Sequence, residues 1–145
     1  MNNIAEVQVS YNPEKTIDFK LENSRSSFQL LLKSWDEGRI EMQEEVKVLL
    51  LNTSNKVLGI YSLAQGGISG CHVDIRLILA VALKSVASGL ILVHNHPSGS
   101  IRPSDIDKRI TEKLKLACQL VDIKLLDHLI ITKNDYFSFA DEEIL

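Results

Sequence analysis

Residues 90–107 read LILVHNHPSGSIRPSDID, and this stretch is the most informative part of the chain for its fold. Its first four residues are aliphatic, as expected for a strand that is buried on both faces. The residues from Pro97 to Pro103 are rich in turn formers, and apolar residues at helical spacing begin just after Ser104. The stretch therefore predicts a central strand, a loop and a helix in succession.

The sequence on either side continues this alternation of strand and helix patterns. Short apolar runs bounded by polar turns predict strands, and apolar residues at helical spacing after a capping residue predict helices. The predicted helices occupy residues 24–38, 75–86 and 104–121, and the predicted strands occupy residues 46–51, 57–63, 90–93, 124–132 and 136–140, with an edge strand at 6–10. Hairpins and crossovers both occur in this order, which predicts an α/β fold with a mixed sheet between helices.

Length and composition are those of one globular domain. The chain has 145 residues, of which 45% are hydrophobic. We expect an N-terminal edge segment at residues 1–23, one domain at 24–140 and a frayed acidic tail at 141–145. Cys71 and Cys118 form no CxxC pattern, so we expect two free thiols in a reducing compartment.

The charge balance and the hydropathy pattern narrow the possible partners. The 16 Lys and Arg residues against 19 Asp and Glu residues give a net charge of −3. Proteins that hold nucleic acid through its phosphates usually carry a basic surplus, so this balance argues against sequence-independent nucleic-acid binding. No apolar stretch is long enough to cross a membrane, and the N-terminus lacks the pattern of a signal peptide. We therefore expect a cytoplasmic protein that does not enter membranes.

Two histidines stand at the end of the predicted central strand. His94 and His96 are two residues apart, so on a strand their side chains leave the same face, with Cα atoms about 6.6 Å apart. Asp107 follows in the first turn of the next helix, and two imidazoles with one carboxylate match the ligands of catalytic zinc. Alternatively, Ser104 and Asp107 have the spacing of a helix capping box, with Asp in place of Glu. That structural interpretation leaves both histidines unexplained.

The same residues carry a resemblance to a known family. A His-x-His pair, ten further residues and an Asp, with Ser three residues before that Asp, resembles the JAMM motif. The residues around the motif resemble the bacterial RadC branch of the JAB/MPN superfamily, over roughly residues 24–140. The resemblance implies a single three-layer, cytidine-deaminase-like domain with a mixed, largely antiparallel sheet flanked by helices. Many RadC proteins also carry an N-terminal helix–hairpin–helix domain, which we expect to be missing here.

The resemblance also implies a role for each motif residue. It implies that His94, His96 and Asp107 bind Zn²⁺ and that Ser104 donates a hydrogen bond to the oxyanion of the reaction. The implied activity is that of a zinc metallopeptidase of JAMM type, which cleaves a peptide or isopeptide bond in a protein or peptide. The alternative is a non-catalytic MPN-type interaction domain or an accessory protein in DNA repair or metabolism.

The family pattern also needs a glutamate at the start of the first core strand, as the general base. Glu45 matches this position, since it immediately precedes the apolar run 46–51. Glu44 and Glu41 are alternatives that a small slip in register would favour, and a solvated acidic turn would explain all three. His128, on a late apolar strand, is interpreted as a structural residue, with support of a metal ligand as the other possibility.

Overall fold

Five strands form one mixed sheet with helices on both faces, in a computed structural model that describes residues 4–8, 10–11, 18–67 and 70–145. The helices are α1 (Ser24–Lys33), α2 (Ile75–Lys84) and α3 (Asp105–Gln119), and the strands are β1 (Glu45–Leu51), β2 (Val57–Gln65), β3 (Gly89–Asn95), β4 (Lys124–Ile131) and β5 (Tyr136–Ser138). The strand order is β2-β1-β3-β4-β5, and only β3 and β4 run parallel. The predicted three-layer α/β fold with a mixed, largely antiparallel sheet is confirmed.

The central strands β1 and β3 are buried along their whole length because both faces of the sheet are covered. One core lies between the sheet and α1, and it includes Trp35 and Leu31. The other lies between the sheet and helices α2 and α3, and it includes Ile78 and Leu114. Since side chains alternate along β3, Leu92 and His94, which are two residues apart, share the face that α3 covers.

Each of the helices α1, α2 and α3 begins at a residue whose side chain caps its first turn. Ser104 caps α3, and Ser104 and Asp107 bond reciprocally to each other's backbone N–H, which is the predicted capping box. Asp74 caps α2. The cap of α1 is Asn23, immediately before the predicted helix start at residue 24, because the Asn23 side chain accepts from the N–H of Ser26.

The described residues of the predicted edge strand 6–10 and of the tail 141–145 lie outside the sheet. Residues 6–8 and 10 lie in no strand and are exposed, so the alternation of polar and apolar residues there does not bury an apolar face. Val9 lies outside the described residues. In the C-terminal tail, the N–H of Ile144 donates to Phe139 O at 3.0 Å and Lys115 Nζ donates to Leu145 O at 2.9 Å, and the expected fraying stays a prediction. Among the described residues, no helix is both long and apolar enough to span a bilayer.

Candidate metal centre

The two histidines meet at the carboxyl end of β3. His94 is buried within the strand, and His96 follows it, where its N–H continues the ladder by donating to Ile131 O at 3.1 Å. Their Nε2 atoms are 3.0 Å apart. The i, i+2 spacing of the sequence therefore brings both imidazoles to one point, as predicted from strand geometry.

The Asp107 carboxylate faces both rings from the first turn of α3. Its Oδ1 lies 3.3 Å from His94 Nε2, and its Oδ2 lies 3.4 Å from His96 Nε2. Oδ2 also accepts the backbone N–H of Ser104 at 2.9 Å. The capping box and the metal site are therefore compatible, because one carboxylate serves in both.

The charge states of this cluster depend on one another. Burial opposes ionisation of Asp107, but the adjacent imidazoles of His94 and His96 outweigh it and hold the pKa of this carboxyl well below its usual range. Burial lowers the pKa of His96, but hydrogen bonds to Asp107 and to the carbonyl of Ser100 outweigh it and raise the pKa above its ordinary value. The negative charge of Asp107 and a positive charge on His96 therefore favour each other.

Glu44, and not Glu45, lies beside the histidines. The Oε1 atom of Glu44 is 3.9 Å from His94 Nε2, and only 12% of the Glu44 side chain is exposed. Val46 pairs with His94 across the β1–β3 ladder, and Glu44 shares the face of Val46 because strand side chains alternate. Burial raises the pKa of Glu44 above its usual value, against the lowering effect of the two histidines.

Glu45, the position predicted for the base, lies on the opposite face of the sheet. This face carries Lys47, whose Nζ lies over the Trp35 ring at 4.4 Å from its centroid. Glu45 is 6% exposed, and its Oε1 has no hydrogen-bond partner. Glu41 is exposed, its carboxylate lies 3.8 Å from Lys133 Nζ, and it does not line the cavity at His94. The structure therefore brings Glu44, and not the predicted Glu45, to the face of the histidines, because adjacent residues of a strand point to opposite faces.

The separations between donor atoms test whether a metal ion fits. Zinc bound at about 2.0–2.2 Å with tetrahedral geometry places its ligand atoms about 3.3–3.6 Å apart. The three separations among His94, His96 and Asp107 are 3.0, 3.3 and 3.4 Å, which agrees with a tetrahedral face. One ligand atom each from Glu44, His94 and His96 also lie within 4.8 Å of one another. The Glu44 carboxylate therefore lies next to the triangle formed by the ligand atoms of His94, His96 and Asp107, and is not one of its corners.

Ser104 lies at the surface beside the cluster. Its Oγ accepts the N–H of Asp107 at 3.0 Å, so the cap uses a lone pair and leaves the hydroxyl proton available. The histidine cluster opens into a cavity of about 230 Å³. The residues that line the cavity include charged, sulfur and aliphatic side chains, namely Glu44, Val46, Cys71, His72, Val73, Leu92, His94, Ile106, Asp107, Ile110, Lys113 and His128.

His128 is in the site, although the sequence favoured a structural role. Its Nε2 lies 2.8 Å from His94 Nδ1, and it is 1% exposed. The parallel pairing of β3 with β4 places it there, since Leu92 is the register partner of His128. The signal in the sequence was a histidine inside an otherwise apolar strand, which identifies neither its neighbours nor its role.

The fold and the site together define a class of protein. A mixed sheet with helices on both faces, and a His-x-His pair and an Asp meeting at the carboxyl end of its central strand, define a JAB/MPN-type domain with a candidate metal centre. Residues 21–144 match the family described as "RadC-like JAB domain". The chain belongs to this RadC family.

Bacterial relatives support the same membership. The chain is 54% identical to a UPF0758 protein of Flavobacterium johnsoniae over 101 residues, which cover 70% of this chain and 44% of that protein. It is 48% identical to a UPF0758 protein of Porphyromonas gingivalis over 104 residues, covering 71% and 46% respectively. A UPF0758 protein of Chlorobaculum tepidum is 37% identical over 144 residues, covering 98% of this chain and 63% of the relative. The chain thus spans about half the length of the curated relatives it matches.

Proposed function

We propose that this protein is a zinc-dependent metallohydrolase of JAMM type that cleaves a peptide or isopeptide bond in a protein or peptide. The observation that carries the proposal is the set of acceptor atoms around one point. Two imidazole nitrogens and a carboxylate lie at separations of 3.0–3.4 Å, with a second carboxylate 3.9 Å from one of the nitrogens. Two imidazoles with one carboxylate are a ligand set of catalytic zinc, which leaves a position open for water.

The residues have separate tasks in this mechanism. His94, His96 and Asp107 would hold Zn²⁺, which when bound lowers the pKa of a coordinated water and polarises a substrate carbonyl. Glu44 takes a proton from the attacking water and delivers it to the leaving nitrogen, because an amine leaves poorly without a proton. The Glu44 carboxylate lies 3.9 Å from His94 Nε2, which supports this role.

Ser104 supports the charge that develops on the carbonyl oxygen. Its hydroxyl proton is not used by the helix cap, so it can be donated to an oxyanion. Protein or peptide is the favoured substrate because the net charge of −3 does not suit a polyanion. Lys113 is the only lysine or arginine among the described residues that line the site cavity.

The proposal is tested in two steps, first by metal content and then by peptide hydrolysis. Elemental analysis of purified protein should find one zinc per chain, lost in His96→Ala and retained in the control Asp105→Ala, an exposed residue of the same helical turn as Asp107. With zinc bound, Glu44→Gln should lower hydrolysis of a peptide library by about 10²–10⁴-fold. The matched control Glu45→Gln should retain the activity, because its side chain lies on the other face of the sheet.

The outcomes separate the two parts of the proposal. A native protein that neither contains nor takes up zinc would refute the metal centre. Zinc binding without hydrolysis of any peptide or isopeptide substrate would refute the enzyme and leave a non-catalytic MPN-type interaction domain. Activity that survives Glu44→Gln and is lost in Glu45→Gln would refute the assignment of the base.

A further inference from the structure

A chain of hydrogen bonds runs behind His94, on the side away from His96. Thr111 Oγ1 donates to the carbonyl oxygen of Asp107 at 2.6 Å, one turn earlier in α3. The Nδ1 atom of His128 lies 2.5 Å from this Thr111 oxygen, and its Nε2 lies 2.8 Å from His94 Nδ1. Thr111 and His128 are each 1% exposed, so water does not compete for these bonds.

The chemistry of the groups determines the direction of every bond in this chain. A backbone carbonyl only accepts, so the single hydroxyl proton of Thr111 is committed to the carbonyl of Asp107. The Thr111 oxygen must then accept from His128, whose Nδ1 therefore carries a proton. A neutral imidazole has one N–H, so Nε2 of His128 accepts and His94 Nδ1 donates. The remaining nitrogen of His94, Nε2, is left as a lone pair that faces His96 and Asp107.

We propose that His128 and Thr111 are positioning residues that hold His94 in the tautomer able to ligate a metal ion. This inference rests on the proposed metal centre. The other histidine obtains the same tautomer from the backbone, since His96 Nδ1 lies 2.8 Å from the carbonyl oxygen of Ser100. His94 depends instead on two side chains, so its tautomer is sensitive to substitution.

A purely structural role for His128 predicts different results. The His128 ring stacks on Phe139 with centroids 4.5 Å apart, and it fills the space between α3 and the sheet. If filling were its whole role, losing the Thr111 hydroxyl would change stability and leave metal affinity unchanged. Acceptors behind ligating histidines commonly fix tautomer and ring orientation, and their loss lowers metal affinity by about 10–100-fold. Zinc affinity and ring tautomer therefore distinguish the two roles.

Thr111→Val is the test, because it removes the hydroxyl and nearly keeps the shape of the side chain. Zinc affinity is measured by competition with a chromophoric chelator, and ring tautomers are read from long-range ¹H–¹⁵N spectra of the metal-free protein at pH 8. Thr111→Val should weaken zinc binding by about 10–100-fold and move the ring proton of His128 from Nδ1 to Nε2. Thr111→Ser should restore both readouts. Cys118→Ala is the matched control, since this buried residue lies on the same face of α3 and outside the chain of hydrogen bonds.

A second substitution guards against a folding failure of the first. His128→Gln keeps a carbonyl that can accept from His94, whereas His128→Leu has no acceptor, so only the leucine variant should lose affinity among folded protein. Wild-type affinity and unchanged tautomers in Thr111→Val would overturn the inference. If the wild-type protein binds no zinc, the proposed function fails, and the ring spectra of the metal-free protein still decide whether Thr111 and His128 set the tautomer of His94.

Discussion

Asp107→Asn separates the two tasks of the carboxylate at the start of α3. Asparagine has the shape of aspartate and keeps an oxygen that can accept the N–H of Ser104, which Asp107 Oδ2 accepts at 2.9 Å. It does not bring the negative charge that faces His94 and His96. The helix cap should therefore survive while the metal centre is lost.

The two effects differ in size. Loss of a carboxylate at a helix N-terminus costs about 0.3–1 kcal/mol in the metal-free protein. Zinc at a hundred times its dissociation constant stabilises the native state by about 2.7 kcal/mol. In a domain of this length each kcal/mol shifts the melting temperature by about 2–4 °C, so zinc should raise that of the wild-type protein by roughly 5–11 °C.

Calorimetric melting with and without Zn²⁺ measures both effects, with Mg²⁺ as the control ion. We expect metal-free Asp107→Asn to melt at least about 1–4 °C below the wild type, since the charge that faces His94 and His96 is lost as well, and to show little further stabilisation by zinc. Asp107→Ala should melt lower still, because it also removes the acceptor for Ser104. A full zinc-dependent shift in Asp107→Asn would refute the reasoning and leave Asp107 as a helix cap.

Three further predictions concern buried residues of the domain. Burial raises the pKa of the Cys118 thiol to about 11, so iodoacetamide at pH 8 should alkylate the half-buried Cys71 first, and mass spectrometry of the folded protein checks the order. Burial raises the pKa of Asp127 despite its hydrogen bonds, so its folded pKa exceeds its unfolded pKa and its contribution to stability is lost as pH rises through the folded value. In urea unfolding, the free energy of unfolding of Asp127→Asn should therefore rise relative to that of the wild type between pH 4 and pH 7. A difference between the two proteins that does not change with pH would contradict this. Leu114→Ala should cost about 2–5 kcal/mol in the same assay and leave zinc affinity unchanged, because Leu114 is fully buried behind the site.

Local patterns were sufficient for the central part of the fold. The aliphatic run 90–93 predicted a buried strand, and β3 is buried throughout because both faces of the sheet are covered. The capping residues Ser104 and Asp107 predicted the start of α3, because a cap depends on atoms within one turn. The proximity of His94 and His96 followed from the two-residue period of a strand.

The N-terminal segment and the glutamate beside the histidines show where local patterns are insufficient. Alternation at residues 6–10 predicts a strand only if a neighbouring strand accepts its hydrogen bonds, and the described residues of this segment have none. Glu44 and Glu45 are adjacent and chemically alike, so composition and spacing do not distinguish them. Their faces depend on the pairing of Val46 with His94, a contact between strands far apart in sequence.

The sequence by itself determined the order of the elements, the helix cap and the histidine pair, because each depends on residues within a few positions of one another. Only the tertiary structure decided that Glu44 faces the histidines and that His128 lies behind His94. Both depend on the register between strands, β1 with β3 in one case and β3 with β4 in the other. A shift of one residue in either register would move every side chain of that strand to the opposite face, and the sequence of one strand does not contain this information.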